Sequence, residues 1–370
     1  MLKILITGGG TGGHIYPALA IASEIKQTYK DSKILYIGTK NGLESELVPK
    51  AGFEFKTIRV KGLPRKLNKD SLIALRELFY GLKESKKIIK DFNPDIVIGT
   101  GGYVSGPIAY IASKSKIPTI IHEQNAFPGI TNKILSRYVD KVLVTFDEAK
   151  KYFKYPEKVV NVGNPIRKEI LEVNKDEAYK KLGIKRDIPF ILSFGGSGGQ
   201  KKLNDSIFDI IKNYNQNDNF QLLHVTGTKY YENFLSKLKK ENIKLNNNLK
   251  ILPYFYDMPE AMVIANIVIA SSGAITLAEI SAVGVPSILI PKAYTAENHQ
   301  EYNARAFEKQ GASILILEKD LSGDNLKSNL ESLLNNKDKL REMSKNSKGL
   351  GKIDSTKLIV HEIDKIIKNK

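Results

Sequence analysis

Three glycine-rich segments each follow a short apolar run, and that pairing leaves few folds open to this chain. Gly8-Gly9-Gly10-Thr11-Gly12-Gly13-His14 follows Leu2-Lys3-Ile4-Leu5-Ile6. Gly99-Thr100-Gly101-Gly102-Tyr103-Val104-Ser105-Gly106 follows Asp95-Ile96-Val97-Ile98. Gly195-Gly196-Ser197-Gly198-Gly199 follows Phe190-Ile191-Leu192-Ser193-Phe194. A strand, a glycine turn and a helix set bare backbone N–H groups and the positive end of a helix in front of whatever binds there, which suits phosphate. Such sites in both halves predict two nucleotide-type α/β domains facing each other across a cleft.

The rest of the chain fits that plan. Apolar runs predict strands over residues 3–7, 33–37, 55–59, 95–99, 118–122, 141–144 and 159–162. The pattern restarts at 190–194 and continues through 221–225, 249–252, 267–270, 287–291 and 313–317. Amphipathic or glycine-opened segments separate them, which implies βαβ units and parallel sheets. A length of 370 residues suits two domains better than one. Gly163-Asn164-Pro165 is the turn-rich joint, so the expected domains are 1–163 and 164–351. Residues 352–370 carry Leu358, Ile359, His361, Ile363, Ile366 and Ile367 at helical spacing, and should pack back on the first domain.

Composition removes several functions. The chain has no cysteine, which excludes disulfides, thiol catalysis and cysteine metal sites. No Asp-x-Asp motif occurs, so no metal or other cofactor is expected. A strand beginning at residue 2 leaves no room for a signal peptide. The most apolar stretch, 267–291, contains Ser271, Ser272, Glu279 and Pro286 and makes a poor membrane span. A cytosolic protein is the expectation.

The net charge of +17 fits nucleic acid, an anionic membrane or a phosphorylated substrate, although scattered lysines also suit a solvated surface. One stretch is more specific. Residues 61–90 hold Lys61, Arg65, Lys66, Lys69, Arg76, Lys83, Lys86, Lys87 and Lys90, interleaved with Leu72, Leu75, Leu78, Phe79 and Leu82. A basic, partly apolar helix of this kind can lie on an anionic bilayer; the alternative is a core helix with a solvated basic face.

The first glycine segment matches the dinucleotide pattern G-x-G-x-x-G. That pattern wants an acidic residue at the end of the second strand, and Tyr36-Ile37-Gly38-Thr39-Lys40 has none, which disfavours a nicotinamide-dependent oxidoreductase. The segment runs instead into His14. A neutral imidazole at a helix mouth can accept a proton from a hydroxyl, and the positive helix end keeps it neutral. His122-Glu123-Gln124-Asn125 ends a strand at the carboxyl edge of the sheet, where open α/β sheets bind ligands, and makes Glu123 the rival base or the residue that positions His14.

Taken together, the motifs resemble the MurG family, the bacterial UDP-N-acetylglucosamine:lipid I N-acetylglucosaminyltransferases. The resemblance rests on GGGTGGHIYPALA (8–20), GTGGYVSGP (99–107), HEQNAFPGITNK (122–133), VGNPIR (162–167), FGGSGGQ (194–200), SSGAITLAEI (271–280), GVPSILIP (284–291) and ENHQEYNA (297–304). It implies a GT-B fold, with the acceptor lipid on the N-terminal domain and the UDP-sugar on the C-terminal one. It implies inverting transfer of N-acetylglucosamine to the 4-hydroxyl of N-acetylmuramic acid in lipid I, giving lipid II.

By resemblance, His14 and Glu123 are the catalytic candidates. Gly10, Thr11, Thr100, Gly101, Gly102 and Tyr103 would hold the acceptor diphosphate. Thr11, Gly12, Gly13, Asn125, Arg167, Ser197, Glu279 and Gln300 would meet UDP-N-acetylglucosamine, Glu279 through the ribose hydroxyls. The implied partners are these two substrates, an anionic membrane surface at the cytoplasmic face and the cell-wall synthesis machinery. Nucleic acid is not among them. A UDP-sugar 2-epimerase and a diacylglycerol glycosyltransferase would share the architecture; the segments HEQNAFPG (122–129) and ENHQEYNA (297–304) argue against both.

Overall fold

The structure is a computed structural model that describes residues 1–62, 69–214 and 219–368. The chain divides into two compact units, Met1–Ile166 together with Ile353–Lys370, and Arg167–Lys352.

The first unit holds one parallel sheet of seven strands: β1 (Lys3–Thr7), β2 (Lys33–Gly38), β3 (Glu54–Thr57), β4 (Ile96–Gly99), β5 (Thr119–Glu123), β6 (Lys141–Val144) and β7 (Val159–Asn161). Their spatial order is β3-β2-β1-β4-β5-β6-β7. Between them run α1 (Gly12–Thr28), α2 (Glu44–Lys50), α3 (Lys69–Phe92), α4 (Ser105–Lys114) and α5 (Ile130–Leu135). The central strands are apolar at successive positions because both faces are covered. Ile4, Ile6, Ile96 and Ile98 join Ile21 and Ile25 of α1 in one layer. Leu5, Leu35 and Val97 join Ile89 of α3 and Ile108 of α4 in the other. The helix Ser355–Lys368 returns to this unit, lies along α1, and buries Ile359, Val360 and Ile363 in the first layer. The Tyr29 hydroxyl donates to Asp364 there.

The second unit opens with α6 (Glu169–Glu172) and α7 (Lys175–Leu182). Its six parallel strands are β8 (Phe190–Phe194), β9 (Gln221–Val225), β10 (Leu249–Leu252), β11 (Ile267–Ala270), β12 (Ser287–Leu289) and β13 (Ser313–Leu315), in the order β10-β9-β8-β11-β12-β13. The helices are α8 (Lys201–Tyr214), α9 (Thr228–Lys240), α10 (Met258–Ile264), α11 (Ala274–Val283), α12 (His299–Lys309), α13 (Gly323–Leu334) and α14 (Lys337–Leu350). The thirteen strands among the described residues coincide with expected runs, with small differences at the ends. β12, for example, stops at Leu289, because Pro291 has no N–H to continue a ladder.

In each sheet the strand order reverses once, between β1 and β4 and between β8 and β11. Ligands of such sheets bind outside the carboxyl ends of that pair. All three glycine segments, and residues 271–273 after β11, lie at those ends.

Candidate active site

In the first unit the two glycine segments are pressed together. The Gly9 N–H donates to the Gly101 carbonyl at 3.3 Å. A Cβ at Gly102 would stand 2.3 Å from the Gly9 carbonyl oxygen, and Gly102 has φ +79°, so only glycine fits. α1 opens at Gly12 behind Thr11, whose carbonyl accepts from the N–H groups of His14 and Ile15 at 3.1 and 3.2 Å. The N–H groups of Gly12 and Gly13 have no carbonyl one turn earlier in the helix, and they form its positive mouth.

His14 is oriented from below. Its Nδ1 lies 3.0 Å from the Gly9 carbonyl oxygen and 3.3 Å from Thr11 Oγ1. A carbonyl only accepts, so in the neutral ring Nδ1 carries the proton and Nε2 keeps its lone pair. Nε2 lies beside Gly101, 3.2 Å from where a Cβ on that residue would be. Burial holds the imidazole pKa below the ordinary histidine value, against the Gly9 bond and the charge of Glu44.

Glu123 is differently employed. Its carboxylate accepts from the Asn125 N–H at 3.0 Å, Asn125 Nδ2 at 3.2 Å, the Gly129 N–H at 3.1 Å and Asn132 Nδ2 at 2.8 Å. Burial pushes its pKa up, and those four donors pull it down. The residue organises the loop from Asn125 to Gly129. His122 is a buried strut whose Nε2–H donates to the Gly163 carbonyl at 2.8 Å while Nδ1 accepts from Gln124 Nε2 at 3.0 Å. Burial pushes its pKa down to about 4.

Thr100 is fully buried, and both its donors are used inside the fold. Its N–H bonds to the Thr7 carbonyl and its hydroxyl to the His14 carbonyl, each at 2.8 Å. It therefore anchors the start of α1 to β4 and offers a diphosphate no free donor. Gly10 is in the same position, since its N–H donates to Glu44 Oε2 at 3.1 Å. Thr11 is exposed at the helix mouth, and the half-exposed Tyr103 ring covers Gly10.

Glu44 is a supporting residue under the first glycine segment that the sequence does not announce. The strand β2 does end without a carboxylate, but Glu44, at the start of α2, folds back to that point. It is fully buried, and Oε1 accepts from the Thr39 N–H at 3.0 Å and the Thr39 hydroxyl at 2.7 Å. It occupies the space that Cβ atoms on Gly9, Gly38 and Gly42 would need. These hydrogen bonds outweigh burial and keep its pKa below the usual carboxylate value. Being sealed under the loop, it supports the loop and does not reach a ribose.

In the second unit Ser197 sits exposed at the tip of the turn before α8. Gly196 and Gly199 have φ of +73° and +68°, and the Gly199 N–H closes on the Gly196 carbonyl at 3.0 Å. Across the switch point, Glu279 on α11 is buried and paired with Arg167. Gln300 is buried at the start of α12, and its Oε1 accepts from the Lys292 N–H at 3.1 Å, leaving its amide nitrogen as the end able to meet a ligand. Glu297 and Asn298, just before α12, hold φ of +51° and +54°, a left-handed pair without glycine.

The basic helix α3 turns apolar side chains to solvent. Leu72, Leu75 and Phe79 are 72%, 54% and 67% exposed. Lys83, Lys86, Lys87 and Lys90 are exposed further along, and Lys61 pairs with Asp70 at 3.0 Å. Arg65 and Lys66 lie outside the described residues, as does the side chain of Lys69. Among the described residues no helix is long and apolar enough to cross a membrane.

Comparison with known proteins agrees with this layout. The family model for the glycosyltransferase family 28 N-terminal domain matches residues 4–144, and that for the glycosyltransferase family 28 C-terminal domain matches residues 190–360. The chain is 51% identical over 369 residues to the UDP-N-acetylglucosamine--N-acetylmuramyl-(pentapeptide) pyrophosphoryl-undecaprenol N-acetylglucosamine transferase of Acetivibrio thermocellus, covering 100% of this chain and 99% of that one. The crystal structure of Acinetobacter baumannii MurG superposes with a TM-score of 0.80 at 26% identity, covering 99% and 100% of the two chains. UDP-GlcNAc 2-epimerase from Neisseria meningitidis, bound to UDP-GlcNAc, has a TM-score of 0.70 at 15% identity over 99% and 100%, a likeness of fold alone.

Proposed function

The chain belongs to glycosyltransferase family 28 and has the GT-B fold of MurG, and from that premise we propose that it transfers N-acetylglucosamine from UDP-N-acetylglucosamine to lipid I, giving lipid II. The 4-hydroxyl of the N-acetylmuramic acid is the nucleophile. Its oxygen bonds to the anomeric carbon as the bond to UDP breaks, and its proton passes to His14 Nε2. One displacement inverts the anomeric centre. The leaving diphosphate gains negative charge, which Ser197, the N–H groups at the mouth of α8 and Arg167 are disposed to meet. The acceptor diphosphate lies at the mouth of α1, against Thr11 and the N–H groups of Gly12 and Gly13.

The observation that carries this reading is the His14 hydrogen bond to the Gly9 carbonyl, which fixes the tautomer a base needs. Glu123, with four donors on its carboxylate, is better read as the residue that shapes the neighbouring loop. The exposed apolar and basic face of α3 supports peripheral attachment to the cytoplasmic face of an anionic membrane, where the lipid acceptor resides.

The test is turnover of UDP-N-acetylglucosamine with a short-chain lipid I analogue, reading UDP release and the anomeric configuration of the product. Release of UDP in proportion to a β-linked disaccharide is expected. UDP release without any acceptor-linked product, or formation of a free epimerised sugar, would replace this reading with hydrolysis or epimerisation.

A further inference from the structure

We propose that Lys292 binds the diphosphate of the sugar nucleotide, supplying a cation at the third glycine segment; this rests on the reading of the second unit as the donor site. Gly196 lies in that segment with φ +73°. The point where its Cβ would be is 3.3 Å from Ser271 Oγ and 3.8 Å from Lys292 Nζ. A hydroxyl, an ammonium and the turn that leads into α8 thus converge at the carboxyl ends of β8 and β11.

Lys292 is held there by its backbone. Its N–H donates to Gln300 Oε1 at 3.1 Å, and the next N–H, of Ala293, donates to Glu318 Oε2 at 3.2 Å. Gln200 Nε2 braces the same pair of elements, donating to Glu318 Oε1 at 2.7 Å and to the Ile290 carbonyl at 3.2 Å. The side chain is only partly exposed. Among the described residues its ammonium makes no hydrogen bond or ion pair, although the charge of Glu318 reaches it. Nearby lysines are engaged: Lys201 and Lys237 pair with Asp205, and Lys202 donates to the Glu318 carbonyl. Arg167 gives two of its nitrogens to Glu279. Partial burial pulls the Lys292 pKa below the ordinary lysine value, the mark of a cation whose solvation has been thinned without replacement. A compact ammonium beside bare backbone N–H groups is the arrangement that takes a phosphate.

Calorimetric titration of the full chain with uridine and with UDP tests this, comparing the parent with Lys292→Met and Lys292→Arg. Lys292→Met should lose roughly 10- to 100-fold in UDP affinity, the loss of one charge-assisted contact, and bind uridine as the parent does. Lys292→Arg should stay within a few-fold of the parent for both. Unchanged UDP affinity in Lys292→Met overturns the assignment, and so does an equal loss for uridine, which would mean a disturbed loop. If the parent itself fails to bind UDP, the donor-site reading falls and this inference with it. UDP binding by the parent that ignores Lys292→Met removes only the lysine.

Discussion

Arg167 and Glu279 form a two-point ion pair, with Arg167 Nε 2.6 Å from Glu279 Oε1 and Nη2 3.0 Å from Oε2. Arg167 lies two residues after the turn at the joint, and Glu279 is buried on α11, so the pair pins the entry of the second unit to that helix. A planar guanidinium fits a carboxylate at two points and leaves the remaining lone pairs of each oxygen able to accept ribose hydroxyls. The two residues should therefore behave as one. In a double-mutant cycle of Arg167→Met and Glu279→Gln, the coupling in UDP affinity should be about 1–3 kcal/mol. Additive effects would mean that each residue meets the nucleotide alone.

His14→Ala should lower kcat by roughly 10²–10⁴-fold and leave UDP affinity unchanged, as loss of a general base does. The parent should lose activity as acid protonates Nε2, and because burial holds that pKa down, the acidic limb should lie below the ordinary histidine value. The variant should lack that limb. A variant that keeps it, with Glu123→Gln abolishing it, would move the base to Glu123. Gly101→Ala should be nearly as harmful, since a Cβ there would meet the imidazole at 2.9 Å.

Acid should weaken the fold through two buried histidines. His122 is pushed down to about 4, and His224 to about 3, by burial. His224 is satisfied as a neutral ring, with Nδ1 3.1 Å from the Ser193 hydroxyl and Nε2 3.1 Å from Asn204 Oδ1. Unfolded, both rings take up a proton near 6.5. The unfolded state thus binds more protons below that pH, and stability present above it falls as pH drops towards the folded values. The slope should approach about 1.4 kcal/mol per pH unit for each ring. Urea denaturation at about pH 7 and about pH 5 reads it; a flat profile would place charge on these rings in the folded state.

Membrane attachment should depend on both parts of the α3 face. Neutralising Lys83, Lys86 and Lys87 together should weaken binding to anionic liposomes by about 1 kcal/mol per charge. Leu75→Ser with Phe79→Ser should weaken it further without that salt dependence. Turnover of a soluble acceptor analogue should be spared in both. Liposome binding equal to the parent in both variants would make the exposed face a surface of another kind.

Excess EDTA should leave turnover within a few-fold of control, as expected if backbone N–H groups and fixed cations meet the leaving diphosphate. Loss of activity that magnesium or manganese restores would require a metal in the mechanism.

Strands and glycine turns were legible because their causes are local. Ile96, Val97 and Ile98 are apolar in succession because a covered parallel strand has no wet face, and that is written in the order of residues. Residues acting at a distance were not. Glu44 reads as an ordinary acidic residue in a helix's first turn, and only the folded chain brings it under Gly9 and Gly10. Lys292 is one lysine among many until β12 is set beside β11, whose other neighbour is β8. Thr100 looked like a ligand donor because its neighbours are glycines, yet its hydroxyl turns inward to His14. For Glu123 the clue was present in Asn125 and Asn132, two amides near enough in sequence to reach it.

The return of the helix Ser355–Lys368 to the first unit bears on how the protein is made. Ile359, Val360 and Ile363 complete a core whose other members come from residues translated long before. A ribosome delivers the chain from its N-terminus, and domains usually close as they emerge. Here the earlier unit must wait, with α1 uncovered on one side, while the whole of the later unit is synthesised and free to fold. The nascent protein therefore passes that interval with the first unit unfinished, which is where a chaperone would find apolar surface and where a truncated product would stay vulnerable to proteolysis.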